Sequence, residues 1–262
     1  MDFPSKDFYT FDDLVRIMKF LRAPDGCPWD RVQTHESIRS NLIEETYEVI
    51  EAIDTKDNEL MREELGDVLL QVVFHSEMAE EDNAFNIGDV IDELCRKLIV
   101  RHPHVFGDVK AENSEDALKS WDDVKMETKS QEKQSEAMLG VSRALPSLMR
   151  AEKIQKKAAK VGFDWACAED AMQKIPEELS ELKEAVSGGD SARISEELGD
   201  LLFSVVNVAR LLKTDSEKAL YDACDKFTSR FASLEVLAEE RGIDVKSVGS
   251  DQLNSLWDEV KK

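Results

Sequence analysis

Glycine and proline are scarce in this chain of 262 residues, which contains 11 glycines and 6 prolines. Both residues interrupt regular structure, whereas the abundant glutamate, lysine, leucine and alanine favour helices. No segment shows the strict alternation of apolar and polar residues that is typical of a half-buried strand. The composition therefore predicts an all-α protein, and the length suits one or two domains with a buried core.

Cysteine and histidine are equally scarce, with four of each. The cysteines are scattered without a CxxC pair, so we expect neither a structural zinc site nor a disulfide framework, but a reduced protein with incidental thiols. No histidine has a glutamate three residues before it. The Glu-x-x-His motif of ferritin-like di-iron proteins is therefore missing, which argues against iron.

Basic residues are fewer than acidic ones: the chain has 34 lysines and arginines and 56 aspartates and glutamates, which give a formal net charge of −22. This charge argues against binding to nucleic acid or to an anionic membrane surface, but it permits a small anionic ligand that carries a divalent cation. No apolar run is long enough to span a membrane, and the N-terminus lacks the features of a secretory signal. We therefore expect a cytoplasmic location.

The most informative feature that is present is an acidic pattern that occurs twice with the same spacing. Each copy is an EExxE motif followed, after fifteen residues, by an ExxD motif. The copies are Glu44-Glu45-x-x-Glu48 with Glu64-x-x-Asp67, and Glu177-Glu178-x-x-Glu181 with Glu197-x-x-Asp200. Such agreement indicates an internal repeat built around carboxylates.

Basic and aromatic residues follow each acidic pattern in the same order. The basic pair is Lys97 with Arg101 in the first copy and Lys226 with Arg230 in the second, and the aromatic pair is Trp121 with Lys125 and then Trp257 with Lys261. Apolar periodicity predicts about four helices in each half. The predicted domains are 1–125 and 141–262, and the polar segment 126–140 is predicted to be a linker or a solvated helix.

Residues three apart share a face of a helix, so the acidic spacing predicts which carboxylates point inward. A helical wheel places four acids of each copy beside the apolar stripe: Glu45, Glu48, Glu64 and Asp67 in the first, and Glu178, Glu181, Glu197 and Asp200 in the second. Four carboxylates at such close range need cations to stay ionised, and oxygen ligands without histidine or cysteine select Mg²⁺ or Mn²⁺. A lone EExxE motif is usually a solvated helix face, but the repeated spacing favours metal binding.

The basic and aromatic pairs have two interpretations each. The lysine–arginine pairs either lie on solvated helix faces or hold phosphate oxygens beside the metal site. The tryptophans either anchor the core or offer a ring for stacking.

Three further segments stand beside the two acidic patterns: Gly26-Cys27-Pro28-Trp29-Asp30, Arg101-His102-Pro103-His104-Val105-Phe106 and Val161-Gly162-Phe163-Asp164-Trp165. On these motifs rests a resemblance to the two-domain MazG nucleoside triphosphate pyrophosphohydrolases. It implies an all-α fold whose bundles are completed by dimerisation, dependence on Mg²⁺, and hydrolysis of nucleoside triphosphates to the monophosphate and pyrophosphate. It also implies a role in nucleotide-pool control or the stress response.

By the same resemblance, the two inner acidic sets hold the metal, and the basic and aromatic pairs bind the substrate. The outer acids Glu177 and Glu44 are candidates for the general base that activates water. Lys174 stands one turn before Glu178, where the first repeat has Asn41. We expect this extra cation to bind substrate and to make the second repeat the stronger catalytic site. The alternative function is a nucleotide-sensing or scaffolding protein that binds Mg–nucleotide or a partner without turnover.

Overall fold

The structure is a computed structural model that describes Phe3, residues 5–109, 111, 113, 116, 117, 121, 124 and 133–261. These residues form helices joined by short turns and contain no strand, which confirms the all-α prediction. The chain divides into two units, Met1–Lys129 and Ser130–Lys262. Of the predicted linker 126–140, residues 126–132 lie outside the described part, and the remainder contains a short helix, α6 (Gln134–Leu139).

In the part of the first unit that the structure describes there are four longer helices, as the apolar periodicity predicts, together with two short ones. The elements are α1 (Phe11–Arg22), a 3-10 helix (Asp30–Val32), α2 (Arg39–Thr55), α3 (Asn58–Glu81), α4 (Ile87–Arg101) and the single turn α5 (Pro103–Phe106).

The core of the first unit lies between α1 and the C-terminal half of α3. Met18 of α1 packs with Ile38 and with three buried residues of α3, which are Val73, Phe74 and Met78. Two ion pairs at 2.6 Å, Lys19–Glu80 and Arg22–Glu81, tie the same helices together at the edge of this core. Because α1 is held at one end of α3, the N-terminal half of α3 is left to pack on α2.

A histidine pair fixes the segment before α2 against α3. The Nδ1 atoms of His35 and His75 lie 2.8 Å apart, and the two rings are almost parallel. This hydrogen bond, together with the buried Ile38, sets the point at which α2 begins relative to α3.

Helices α2 and α3 form a hairpin with a turn of only two residues. Lys56 adopts a left-handed conformation with φ of 58°, and the side chain of Asp57 then accepts hydrogen bonds from the backbone N–H groups of Glu59 and Leu60 at 3.0 and 3.1 Å. An Asp at this position satisfies N–H groups that have no partner within the helix. The turn therefore ends α2 and starts α3 at defined residues, and the two helices pack along each other.

The second unit contains more helices than the four predicted. After α6 come α7 (Ser147–Ala159), α8 (Ala168–Met172), α9 (Lys174–Gly188), α10 (Ser191–Leu211), α11 (Ser216–Glu240) and α12 (Ser250–Val260). The extra long helix is α12, which packs its apolar residues on α11 around the buried Leu234, Ala238 and Leu256. The sequence prediction took this segment only as a Trp–Lys motif.

The α9–α10 hairpin repeats the turn of the α2–α3 hairpin. Gly189 adopts the left-handed conformation with φ of 67°, which costs glycine no steric strain. Asp190 then accepts hydrogen bonds from the N–H groups of Ala192 and Arg193 at 3.0 and 3.2 Å. Both repeats therefore use a left-handed residue followed by an aspartate cap to fix the same helix register.

None of the helices in the described part is long and apolar enough to cross a membrane.

Candidate functional site

The first acidic cluster lies across the α2–α3 hairpin. Glu45 stands eleven residues before Lys56, and Glu64 stands eight residues after it, so the hairpin turns the two side chains toward each other. Carboxylate oxygens of Glu45, Glu48 and Glu64 lie within 4.8 Å of one another. Glu64 is buried, whereas Glu44 and Glu63, next to the inner acids in the sequence, are exposed.

The second acidic cluster occupies the equivalent place on the α9–α10 hairpin. Glu178 and Glu197 are again eleven residues before and eight residues after the left-handed residue, here Gly189. Carboxylate oxygens of Glu178, Glu197 and Asp200 lie within 4.8 Å of one another. Glu178 and Glu197 are buried, and Asp200 and the outer Glu177 are exposed.

The two clusters differ in which of the four predicted acids they bring together. Asp67 is not within the 4.8 Å group of the first unit, and Glu181 is not within that of the second. Both remain electrostatically close to their clusters: Asp67 contributes to the raised pKa of Glu45, and the pKa of Glu181 is raised by burial and then by Glu178 and Glu197. Six of the eight predicted acids therefore form the two clusters, and Asp67 and Glu181 interact electrostatically with them.

Burial and mutual repulsion both act on the first cluster. The pKa of Glu45 is raised by burial first and then by a hydrogen bond with Glu48, while the pKa of Glu64 is raised by burial and then by the charge of Glu48. A carboxylate with a raised pKa gains stability by binding a proton or a cation. The metal-free cluster is therefore a place where positive charge is favoured.

Lysine 174 supplies positive charge to the second cluster from within the chain. Its Nζ atom lies 2.7 Å from Oε1 of Glu177 and 2.9 Å from Oε1 of Glu178, and these contacts raise the pKa of the lysine. The first repeat has the neutral Asn41 at this place. The structure thus joins the predicted substrate-binding lysine to a predicted metal ligand and to the predicted general base.

A second cation at this cluster was missed by the sequence reasoning. Arg193 lies one turn before Glu197 on α10, and its Nη2 atom is 3.4 Å from Oε1 of Glu197. Its offset of four residues from Glu197 equals the offset of Lys174 from Glu178, and the first repeat has Leu60 at the matching position. The shared offset was the signal that could have identified Arg193.

The predicted phosphate-binding residues of the first unit lie on α4 and beyond it. Lys97 is exposed, and Arg101 at the end of α4 lies over the ring of Trp121, with 5.2 Å from the guanidinium carbon to the ring centroid. This cation–π contact joins the predicted basic and aromatic pairs. The last member of the set, Lys125, lies outside the described residues.

Of the predicted substrate-binding residues of the second unit, Lys226 and Arg230 lie on α11, Trp257 lies on α12 and Lys261 directly follows it. Lys226 is exposed, Arg230 is partly buried, and Trp257 packs on the α11–α12 core with its ring centroid 5.0 Å from that of Phe227. The amino group of Lys261 lies 5.8 Å from the Trp257 centroid and 3.1 Å from Asp258. Trp257 therefore anchors the core and still presents ring surface to Lys261.

The donor chemistry of both clusters fits a hard divalent cation. Each offers three carboxylate oxygens close together from two helices held in register, and oxygen-only ligand sets suit Mg²⁺ and Mn²⁺.

Comparison with known proteins identifies the family. The sequence model of the MazG nucleotide pyrophosphohydrolase domain matches residues 33–106 and 168–234, so each acidic hairpin falls within one copy. The nucleoside triphosphate pyrophosphohydrolase/pyrophosphatase MazG of Thermotoga maritima is 49% identical over 96% of this chain and 95% of its own. The nucleoside triphosphate pyrophosphohydrolase of Escherichia coli K12 is 44% identical over 96% of this chain and 97% of its own.

Among solved structures, the mazG-related protein from Thermotoga maritima is 28% identical and aligns with a TM-score of 0.38 over 44% of this chain and 97% of that chain. The two domain matches and the full-length identity to the curated proteins show that this chain belongs to the MazG nucleotide pyrophosphohydrolase family.

Proposed function

We propose that this protein is a Mg²⁺-dependent enzyme that hydrolyses nucleoside triphosphates to nucleoside monophosphates and pyrophosphate. The observation that carries the proposal is the pair of three-carboxylate clusters, each on an identically built hairpin of a MazG domain. The names of the Thermotoga and E. coli relatives support the reaction. Mn²⁺ is expected to replace Mg²⁺, since both ions prefer oxygen ligands.

The metal ligands of the second unit are proposed to be Glu178, Glu197 and Asp200, with Glu181 completing the set. The corresponding ligands of the first unit are Glu45, Glu48, Glu64 and Asp67. A bound Mg²⁺ would supply a Lewis acid that neutralises the negative charge on the phosphates. The burial of Glu64, Glu178 and Glu197 holds these carboxylates in place before any ligand arrives.

A phosphate-binding role is proposed for Lys226 and Arg230 of α11. Asp200 lies eleven residues before the end of α10 at Leu211, and Lys226 lies ten residues after the start of α11 at Ser216. At a rise of about 1.5 Å per residue, both are roughly 15 Å from the connecting turn. Lys226, with Arg230 one turn further along the same face, is therefore proposed to bind phosphate oxygens of a substrate held at the acidic cluster.

In the first unit, Asp67 lies fourteen residues before the end of α3, and Lys97 and Arg101 lie ten and fourteen residues after the start of α4. Trp121 and Trp257, with Lys125 and Lys261, are proposed to complete the two substrate pockets.

Water activation is proposed for the outer acids Glu177 and Glu44. Both are exposed and adjacent in sequence to an inner acid of the cluster, so a water beside the phosphates can transfer its proton to them. Before nucleotide binds, Lys174 lies 2.7 Å from Glu177 and keeps this carboxylate beside the cluster. This built-in cation is our reason to propose the second repeat as the stronger catalytic site.

A homodimer is proposed because α4 and α11 leave apolar side chains uncovered within their own units. Ile91, Leu94 and Leu98 share one face of α4 and are 42–46% exposed. On α11, Leu220 and Phe227, seven residues apart, are 54% and 58% exposed. Contiguous apolar surface of this kind marks an interaction site, and a second copy offers the matching faces.

A cytoplasmic location, a role in nucleotide-pool control or the stress response, and an absence of nucleic-acid and membrane partners complete the proposal. The net charge of −22 supports the last point, since polyanions are repelled.

Replacing a proposed ligand should abolish turnover while leaving the fold intact. Purified protein would be incubated with ATP, GTP and dCTP, and the products separated by anion-exchange chromatography. We expect monophosphate and pyrophosphate with Mg²⁺ and no product with EDTA. We expect Glu197→Gln and Asp200→Asn to lower kcat by about a hundredfold or more, because each removes a charged ligand from the cluster.

Glu184→Gln, an exposed acid of α9 outside the cluster, is the matched control and should retain activity. Full activity in both ligand variants would contradict the metal-site assignment. Binding of Mg–nucleotide without any product would favour the nucleotide-sensing alternative.

Neutralising a buried acid of the first cluster should stabilise the metal-free protein and remove its response to metal. The pKa of Glu64 is raised above its ordinary 4.5, so the folded chain binds this proton more tightly than the unfolded chain. The contribution of Glu64 to the free energy of unfolding therefore decreases as pH rises from about 4.5 through the raised pKa, and above that pKa the decrease is complete. We expect Glu64→Gln to raise the Tm measured with EDTA at pH 7.5.

In the same variant, the rise of Tm that Mg²⁺ causes through the first cluster should shrink, because a bound ligand stabilises only when its site is intact. Glu63→Gln, an exposed neighbour, serves as the control and should behave like the original chain. A lower Tm with EDTA for Glu64→Gln would contradict the repulsion described here.

A charge placed on the apolar face of α4 should prevent dimerisation. We expect the original chain to elute with the mass of two copies in size-exclusion chromatography with light scattering, and Leu98→Glu to shift it toward one copy. Glu93→Ala, which changes a polar residue of the same helix, should remain dimeric. A monomeric original chain over the whole concentration range would contradict the proposed interface.

A further inference from the structure

The second acidic cluster carries two counter-ions of its own, and the first carries none among the described residues. Lys174 lies 2.9 Å from Glu178, and Arg193 lies 3.4 Å from Glu197. Each cation stands one helical turn before the carboxylate it contacts, so residues four apart on the same face make both pairs. No described lysine or arginine forms an ion pair with Glu45, Glu48 or Glu64 of the first cluster.

The difference in counter-ions arises from two positions that are equivalent in the two repeats. Subtracting 133 from the residue number maps Glu178 and Glu197 onto Glu45 and Glu64, Lys174 onto Asn41, and Arg193 onto Leu60. The hairpin turns and the acidic register are the same in both units. The two clusters therefore share the pair of acids that face each other across the hairpin, Glu45 with Glu64 and Glu178 with Glu197, and differ in the third acid and in internal positive charge.

A cation that contacts a ligand carboxylate opposes the entry of a metal ion. A positive charge about 3 Å from a carboxylate oxygen lies within a few ångströms of any ion that the same oxygen binds, and repulsion at that range is substantial even in a partly solvated site. The carboxylates concerned are well shielded, since the side chains of Glu178 and Glu197 are 7% and 12% exposed.

The two cations are also accessible to a ligand that arrives from solution. The side chains of Lys174 and Arg193 are 33% and 50% exposed, and both are long and flexible. A triphosphate beside the cluster offers them a stronger partner than a single carboxylate, because its charge is higher and Arg binds phosphate in bidentate fashion.

From these observations we propose that Lys174 and Arg193 make metal binding at the second cluster dependent on nucleotide, whereas the first cluster binds a divalent ion without it. Without nucleotide, the cations neutralise Glu178 and Glu197 and lower the affinity of the second cluster for a metal ion. With nucleotide, they transfer to the phosphates and release both carboxylates for the ion. This inference rests on the proposed function of the two clusters, and it assigns Arg193 to the substrate site.

The test is a Mn²⁺ titration of the full chain, with free ion quantified by electron paramagnetic resonance after ultrafiltration, which separates protein-bound from nucleotide-bound ion. In the original chain we expect one ion per chain bound tightly and the second about tenfold or more weaker. Adding α,β-methylene ATP, which cannot be cleaved between its α- and β-phosphates, should bring the second ion onto the protein.

Variants that exchange the cations of one cluster for the residues of the other test whether Lys174 and Arg193 cause the difference in affinity. Lys174→Asn with Arg193→Leu gives the second cluster the residues of the first, and we expect two ions to bind with similar affinity without nucleotide. Asn41→Lys, a milder single change, should weaken the tight site. Glu48→Gln and Glu197→Gln each remove one site and assign the two affinities, and circular dichroism confirms that each variant is folded.

Equal affinity of both sites in the original chain, no gain from the nucleotide analogue, or no change in the Lys174→Asn/Arg193→Leu variant would overturn this inference and leave the metal sites standing. Absence of Mn²⁺ binding in the original chain and in every variant would overturn the proposed metal-dependent function itself.

Discussion

Repulsion between carboxylates held on the inner sides of a helix hairpin is the constraint on which the rest of this structure depends. The chain fixes this arrangement with a turn of two residues, a left-handed residue and an aspartate cap, which sets the register of α2 on α3 and of α9 on α10. Helices that packed only through their apolar stripes would be free to slide by a turn, and the acids would then face water. The short capped turn removes that freedom. In the first unit the energetic cost of the buried acids is offset when a proton or a cation binds, whereas in the second unit Lys174 and Arg193 already offset part of it.

The two repeats solve this charge problem in different ways, although their backbones are alike. The first leaves Glu45, Glu48 and Glu64 close together, with burial and Glu48 raising the pKa of its neighbours. The second places Lys174 and Arg193 against Glu178 and Glu197. The repeat therefore keeps the acids and changes the counter-ions, and on our proposal the two clusters differ in their affinity for a metal ion.

Most of the fold and part of the site could be predicted from the sequence, for identifiable physical reasons. The apolar stripes at helical spacing predicted α1 to α4, and the wheel correctly turned Glu64 inward and Glu63 outward, because both depend on local periodicity. Helix α12 was not predicted as a helix, because its segment was interpreted only as a Trp–Lys motif and the helical spacing of its apolar residues was not used. The contact of Arg193 with Glu197 was also missed, because a basic residue four before an acid is ordinary in a chain with 56 acidic residues. That Trp257 packs on the α11–α12 core depends on tertiary contacts that spacing alone does not contain.

The measurement that tests this account most directly is anomalous diffraction from crystals of the full chain grown with Mn²⁺ and α,β-methylene ATP. The account predicts two anomalous peaks per chain, one bounded by Glu45, Glu48 and Glu64 and the other by Glu178, Glu197 and Asp200, with the phosphates of the analogue beside the second. Well-ordered crystals in which both hairpins have unliganded carboxylates, while Mn²⁺ occupies some other part of the chain, would contradict it.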